Sequence, residues 1–161
     1  MSTPTLPHGG VSIDRGEGKS FWLLTDLLTF KLTGEDTNNA FTVLEVSAGP
    51  ELGPPPHTHR FSDESFYILE GTFDFSLAGQ AFSASAGSFV HLPKGVVHSH
   101  RAGGGAAAKA LVIQSPSGVE QFVTEAGHPA TNPSVRPGPP DPAEVGRVLA
   151  IAPDHGINVA V

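Results

Sequence analysis

Residues 54–71 read PPPHTHRFSDESFYILEG. Three prolines run straight into two histidines one residue apart, then come a carboxylate pair, an apolar run and a glycine. In an extended segment, side chains two residues apart share a face, so His57 and His59 stand at the smallest spacing at which two imidazoles reach one ion. Four residues separate His59 from Glu64 and six more separate Glu64 from Gly71. That spacing delivers a third ligand as the chain turns back into its next strand. The prolines fix φ ahead of the pair, which lowers the entropy lost when the ligands are ordered. Asp63 competes with Glu64 as the carboxylate. Strand alternation sets Glu64, Phe66 and Ile68 on one face and Ser65, Tyr67 and Leu69 on the other, whereas Asp63 belongs to the turn, so Glu64 is the expected ligand.

A second cluster, GSFVHLPKGVVHSH, occupies residues 87–100. Its Pro-x-Gly turn at Pro93 and Gly95 precedes a strand and can aim His98 inward as a fourth ligand, with His100 on the same face. The chain has eight histidines. His8, His128 and His155 sit among Pro and Gly in expected loops and are assigned no chemistry. His91, in SFVHL, can face either way.

Composition narrows the class. A chain of 161 residues suits one domain, 1–161, with a sizeable core, and 19 glycines with 15 prolines spread along it imply many turns between short elements, which favours an all-β protein. A net charge of −7 is the wrong sign for a surface that attracts nucleic acid or anionic lipid. With no cysteine, any metal must be held by His, Asp, Glu or water. The start, MSTPTLPHGG, lacks the features of a signal peptide, and no segment reaches membrane-spanning length, so the expected location is cytoplasmic.

Residues 1–20 read as an irregular arm. Strand-like runs follow: FWLLTDLLTFKL, AFTVLEV, ESFYILE, TFDFSL, QAFSA, SFVHL and AKALVIQ, separated by TGEDTNN and by glycine or proline turns. Short strands at this spacing predict a sandwich or barrel. SPSGVEQFVTEAG predicts a short helix, with Ser117 and Glu120 at capping-box spacing and Gly127 as its stop. Residues 128–161 read as a Pro-rich connector and a C-terminal helix, DPAEVGRVLAIAP, capped by Asp141, with Val145, Val148 and Leu149 as its apolar stripe.

Together the two clusters resemble the cupin pattern. HxH, four residues, Glu, six residues, Gly is met by His57, His59, Glu64 and Gly71. Gly, five residues, Pro-x-Gly, two residues, His is met by Gly87, Pro93, Gly95 and His98. The Asn that usually follows after three intervening residues is Ala102 here, a departure at a structural position. The resemblance implies a cupin jelly-roll β-barrel (double-stranded β-helix) with short C-terminal helices and one divalent transition metal per chain (Ni, Co, Fe, Mn or Zn) in its mouth, held by His57, His59, Glu64 and His98. The order of features is further similar to actinobacterial quercetin 2,3-dioxygenase-like single cupins. That likeness implies a metal-dependent dioxygenase that cleaves a flavonol or similar enolisable aromatic with O2, losing carbon monoxide, with Glu64 also taking a proton from the substrate hydroxyl. Two alternatives stand beside it: a non-redox cyclase or isomerase of a polyketide-like substrate, and a small-molecule-binding cupin without turnover. Phe66, Ile68, Phe73, Phe75 and Phe89 lie at strand positions that can face the metal and, with His100, are the candidate substrate contacts. A homodimer is expected, as many cupins form, with FWLLTDLLTF as an edge or swapped strand.

Overall fold

The computed structural model describes residues 6–160. Residues 1–5 of the expected arm, and Val161, lie outside the described residues. The strands are β1 (Lys19–Leu23), β2 (Asp26–Leu32), β3 (Thr42–Ala48), β4 (His57–His59), β5 (Asp63–Glu70), β6 (Thr72–Leu77), β7 (Gln80–Ser85), β8 (Phe89–Leu92), β9 (His98–Ala102), β10 (Ala108–Ser115), β11 (His128–Pro129) and β12 (Ile157–Val159). The helices are α1 (Gly34–Thr37), α2 (Val119–Ala126) and α3 (Pro142–Ile151).

The strands form two antiparallel sheets. The larger runs β11-β1-β2-β3-β10-β5-β8 and the smaller β12-β4-β9-β6-β7. This is the all-β jelly roll that the sequence pattern predicts. Alternation decides which side chains go between the sheets. In β3, Thr42, Leu44, Val46 and Ala48 point in, and in β10, Ala108, Ala110, Val112 and Gln114 do. Phe66 and Phe73 meet across the gap with ring centroids 6.3 Å apart, both fully buried. Each such ring contributes roughly 1.5–3 kcal/mol by leaving water.

Several local details differ from the sequence expectations. FWLLTDLLTFKL is not one long edge strand. It breaks at Leu24, whose φ is +52°, into the β1–β2 hairpin, and β11 covers the outer side of β1 at Phe21 and Trp22. Residues 33–38 form a helical turn rather than a loop, because the Asp36 carboxylate accepts from the Thr33 backbone N–H at 2.8 Å and closes it. In α2, Gly118 and not Ser117 is the N-cap residue. Glu120 instead accepts from the Gly34 and Gly118 N–H groups and from the Thr42 hydroxyl, tying the helix to the large sheet. In α3, Asp141 does cap, accepting from Glu144 N at 2.7 Å. Val148 of its expected stripe is buried, but Leu149 is 43% exposed. The last strand, β12, had no sequence signal. It is held by pairing to β4, which brings Ile157 opposite His59.

The Pro-rich connector lies over the β1–β2 hairpin. The Arg136 guanidinium sits 5.2 Å over the Trp22 ring and donates to the Thr25 carbonyl. Beneath this strap, Asp26 is 8% exposed, and among the described residues its Oδ1 has no hydrogen-bond partner. Burial pushes its carboxyl up from 3.8 to about 6, against the opposing pull of Arg136 and the Thr25 side chain. A folded-state pKa raised above the unfolded value means that the folded form binds more protons in that window. Stability is therefore greatest below about pH 4 with respect to this group and is lost as pH rises toward 6. Asp26→Asn is expected to stabilise the protein by about 1–3 kcal/mol at pH 7.5, with the difference vanishing near pH 4 in thermal melts.

Candidate metal centre

Four side chains meet at one mouth of the barrel. β4 carries His57 and His59 and β9 carries His98, all on the smaller sheet, with His57 directly opposite His98. Glu64 comes from β5 on the larger sheet, where it stands opposite Gln114 of β10 and Leu92 of β8. One ligand atom from each of His57, His59, Glu64 and His98 lies within 4.8 Å of the others, and all four residues are buried. The turn between β8 and β9 aims His98. Gly95, at φ +78°, donates its N–H to the His59 carbonyl at 2.8 Å, and Lys94 N–H donates to Asp63 Oδ1 at 2.8 Å. Asp63 thus serves the turn and leaves the interior to Glu64.

Backbone carbonyls set how the rings present themselves. His57 Nδ1 lies 2.9 Å from the Pro55 carbonyl and His98 Nδ1 lies 3.0 Å from the Val96 carbonyl. A carbonyl only accepts, so each Nδ1 carries a proton and each ring turns its Nε2 inward. His57 Nε2 then faces His59 Nε2 at 3.2 Å, and His98 Nε2 faces Glu64 Oε2 at 3.1 Å. Lone pairs and a carboxylate so close together repel unless a proton or a cation lies between them. Three imidazole nitrogens and one carboxylate oxygen are a donor set that suits a divalent transition ion.

The protonation equilibria follow from the same contacts. Burial, reinforced by the neighbouring His59, lowers His57 from 6.5 to about 4, so it is neutral at physiological pH. Burial alone raises the Glu64 carboxyl, but the adjacent His59 and the hydrogen bonds from His59 and His98 outweigh it and hold Glu64 well below the usual carboxylate range. For His98, burial lowers the pKa, yet the Glu64 carboxylate beside it prevails and raises it above 6.5. Gln114, which sequence reasoning passed over, is 3% exposed and donates from Nε2 to Glu64 Oε1 at 3.0 Å, while Ser62 donates to its Oε1 at 3.3 Å. A signal for it existed, since it is the one polar residue at the inward positions of β10.

The expected substrate contacts are not all brought together. His100 lies inside the barrel against Phe66, Phe73 and Phe75, with ring centroids 4.9, 6.0 and 6.3 Å away. Burial lowers its pKa to about 4, and among the described residues its Nδ1 has no hydrogen-bond partner. Ile68 is fully buried in the same core. Phe89 is 62% exposed, on the outer face opposite Tyr67, and does not join this group. His91 is also outward and pairs with the Ser65 hydroxyl at 2.9 Å.

Two face-to-face antiparallel sheets with a buried three-histidine, one-carboxylate group at one mouth form a jelly roll of the cupin type. Residues 43–114 match the cupin domain family. Over 86 residues it is 27% identical to the quercetin 2,3-dioxygenase of Bacillus subtilis (strain 168), a match that covers 53% of this chain and 26% of that enzyme. The chain therefore matches about a quarter of that relative's length. Among solved structures it is similar to KdgF from Halomonas sp., with a TM-score of 0.58 and 16% identity over 68% of this chain and 96% of that one. It is also similar to a predicted oxalate decarboxylase from Thermotoga maritima, with a TM-score of 0.58 and 18% identity over 72% and 99%. The cupin domain of Cnp3 from Schizosaccharomyces pombe gives 0.53 and 17% over 62% and 67%. At these identities the likeness is one of fold.

Purified protein is expected to carry about one divalent transition ion per chain by metal analysis, and His57→Ala or His98→Ala to lose it with the strand signature in circular dichroism retained. Because the His98 pKa is raised above 6.5, protons compete for its Nε2 already near neutrality. Cobalt affinity measured by titration calorimetry should fall by up to about tenfold per pH unit below that pKa. A flat profile from pH 8 to pH 5.5 would count against His98 as a ligand.

Proposed function

We propose that the protein is a metal-dependent dioxygenase of the quercetinase type, which cleaves a flavonol or similar enolisable aromatic with O2. The observation that carries this reading is the placement of Glu64, an ionised carboxylate buried among three imidazoles with its two oxygens in different roles. The similarity to the Bacillus subtilis quercetin 2,3-dioxygenase supports it. A divalent ion at His57, His59, Glu64 and His98 would supply Lewis acidity and, when redox-active, a route for electrons to dioxygen.

The chain's own residues do the rest. Glu64 Oε2 points at the imidazoles, and among the described residues Oε1 accepts one hydrogen bond, from Gln114, which leaves a second lone pair for a substrate. A substrate hydroxyl that reaches Oε1 gives its proton there, and the oxygen left behind carries the negative charge that activates the ring toward oxygen. His57 stays neutral and takes no part in that transfer. The buried phenylalanines behind the site exclude water from the charge so formed.

We also propose that two copies associate. Tyr67 and Phe89 stand opposite each other on the outer face of the large sheet, 45% and 62% exposed, beside β8, the last strand of that sheet among the described residues.

The central test is oxygen uptake by metal-saturated protein with a panel of flavonols and smaller enolisable aromatics, with carbon monoxide release read for the flavonols. Glu64→Gln, saturated with metal, is expected to remain slower by roughly 10²-fold or more, the scale of a lost general base. Full recovery of rate with excess metal would make Glu64 a ligand alone, and turnover of an enol without oxygen uptake would move the reading to a non-redox cyclase or isomerase. Light scattering is expected to give twice the 16.7 kDa chain mass, and a monomer value would contradict the association.

A further inference from the structure

Among the described residues, large side chains pack the barrel interior. Phe66, Ile68, Phe73 and Leu92 are each fully buried, and Phe75 stacks on Phe82 with centroids 5.4 Å apart. Space adjoins the metal centre on another side. A cavity of about 220 Å³ has His59 and Gln114 in its wall, and its other boundaries are the 60–62 segment between β4 and β5, the start of α2 and the approach to β12. A second concavity, of about 350 Å³, lies on the outer face of the large sheet beside Lys31, Glu45 and Leu111, and no candidate ligand lines it.

We propose that the substrate reaches the metal centre through this side cavity and that it is a single-ring hydroxylated aromatic or enol, smaller than a three-ring flavonol. The inference rests on the functional reading above and narrows its substrate class. Volume sets the size, because sites for drug-sized ligands occupy about 300–1,000 Å³ and this one holds less. The lining sets the chemistry. Phe61, Phe122 and Ile157 offer apolar surface to a ring, while Ser62, Ser117 and Gln121 offer hydroxyl and amide partners to its substituents. Arg60 and Asp154, of opposite sign, both line it and give no net preference for a charged ligand.

Gln114 joins the cavity to the chemistry. It lines the wall and donates to Glu64 Oε1, so with His59 it is the side chain through which a ligand in the cavity meets the candidate centre. Phe61, 56% exposed, packs against Gly156, where an added Cβ would come within 2.4 Å of its ring. It stands at the cavity's outer side, where its ring limits what can enter.

The test uses cobalt-loaded protein without oxygen, with 4-nitrocatechol as a one-ring probe and quercetin as a three-ring one, and reads the visible spectrum. Saturable binding of nitrocatechol, tighter than that of quercetin, is expected. Gln121→Trp and Val119→Trp, which fill the cavity from α2, should each weaken nitrocatechol by about tenfold or more while cobalt affinity stays within about twofold. Gln121 is exposed on the helix, so its variant folds even where Val119→Trp does not. Phe61→Ala should narrow the gap between quercetin and nitrocatechol. Parent affinity in both tryptophan variants, absence of saturable nitrocatechol binding, or quercetin bound as tightly as the single ring would each overturn the proposal. Oxygen uptake separates the two readings. Nitrocatechol that binds through the cavity without oxygen uptake by any substrate overturns the dioxygenase and keeps the cavity. Flavonol turnover that neither tryptophan variant slows does the reverse.

Discussion

A carboxylate buried among three imidazoles governs the mouth of this barrel. Taking an isolated carboxylate out of water costs several kcal/mol, and only close, well-oriented partners offset that. Glu64 has them: His98 Nε2 at 3.1 Å, His59 Nε2 at 3.5 Å and the Gln114 amide at 3.0 Å. The imidazoles come from the smaller sheet and the carboxylate from the larger, so the group exists only while the sheets are closed face to face. The phenylalanine core between the sheets therefore does more than stabilise the fold, since its volume sets the separation at which the ligands meet.

Each half of the group is prepared locally before the sheets meet. His57 and His98 both have Nδ1 within hydrogen-bond distance of the carbonyl two residues earlier, Pro55 and Val96, which turns Nε2 inward in both cases. The prolines before His57 thus stiffen the approach and also present the carbonyl that orients the ring. The turn at Pro93–Gly95 is tied at once to the end of β4 and the start of β5, through the His59 carbonyl and Asp63. Those two bonds tie together the strands that carry the three imidazoles and the carboxylate. Such preparation lowers the reorganisation needed when an ion binds.

The aromatic residues divide between two roles. Phe66, Phe73 and Phe75 share the inward face with the ligands, which makes them look like a substrate wall, but they fill the barrel against one another and His100. The free volume lies instead where β12 and α2 close over β4. Both come from the C-terminal part of the chain, outside the residues 43–114 that match the cupin domain. Segments C-terminal to the matched residues therefore border this cavity, while the barrel itself supplies the three imidazoles and the carboxylate.

The jelly roll and the four-residue group were legible in the chain because both depend on short-range order. Alternation in β5 put Glu64 with Phe66 and Ile68, HxH spacing put two rings on one face, and a Pro-x-Gly turn announced His98. What failed or stayed silent depended on contacts across the fold. Ser117 and Glu120 had capping spacing, but Glu120 found better donors at Gly34 and Thr42, far away in sequence. Phe89 shared its strand's composition with the core yet faced out, because four residues of β8 fix no parity until they pair with β5. Gln114 acquired meaning only opposite Glu64, and Ile157–Val159 became a strand only by pairing with β4. The sequence by itself determined which atoms can ligate, since spacing along one strand is covalent geometry. Tertiary structure decided which polar groups serve them and where a ligand fits, since those depend on packing between strands that the chain brings together only when it folds.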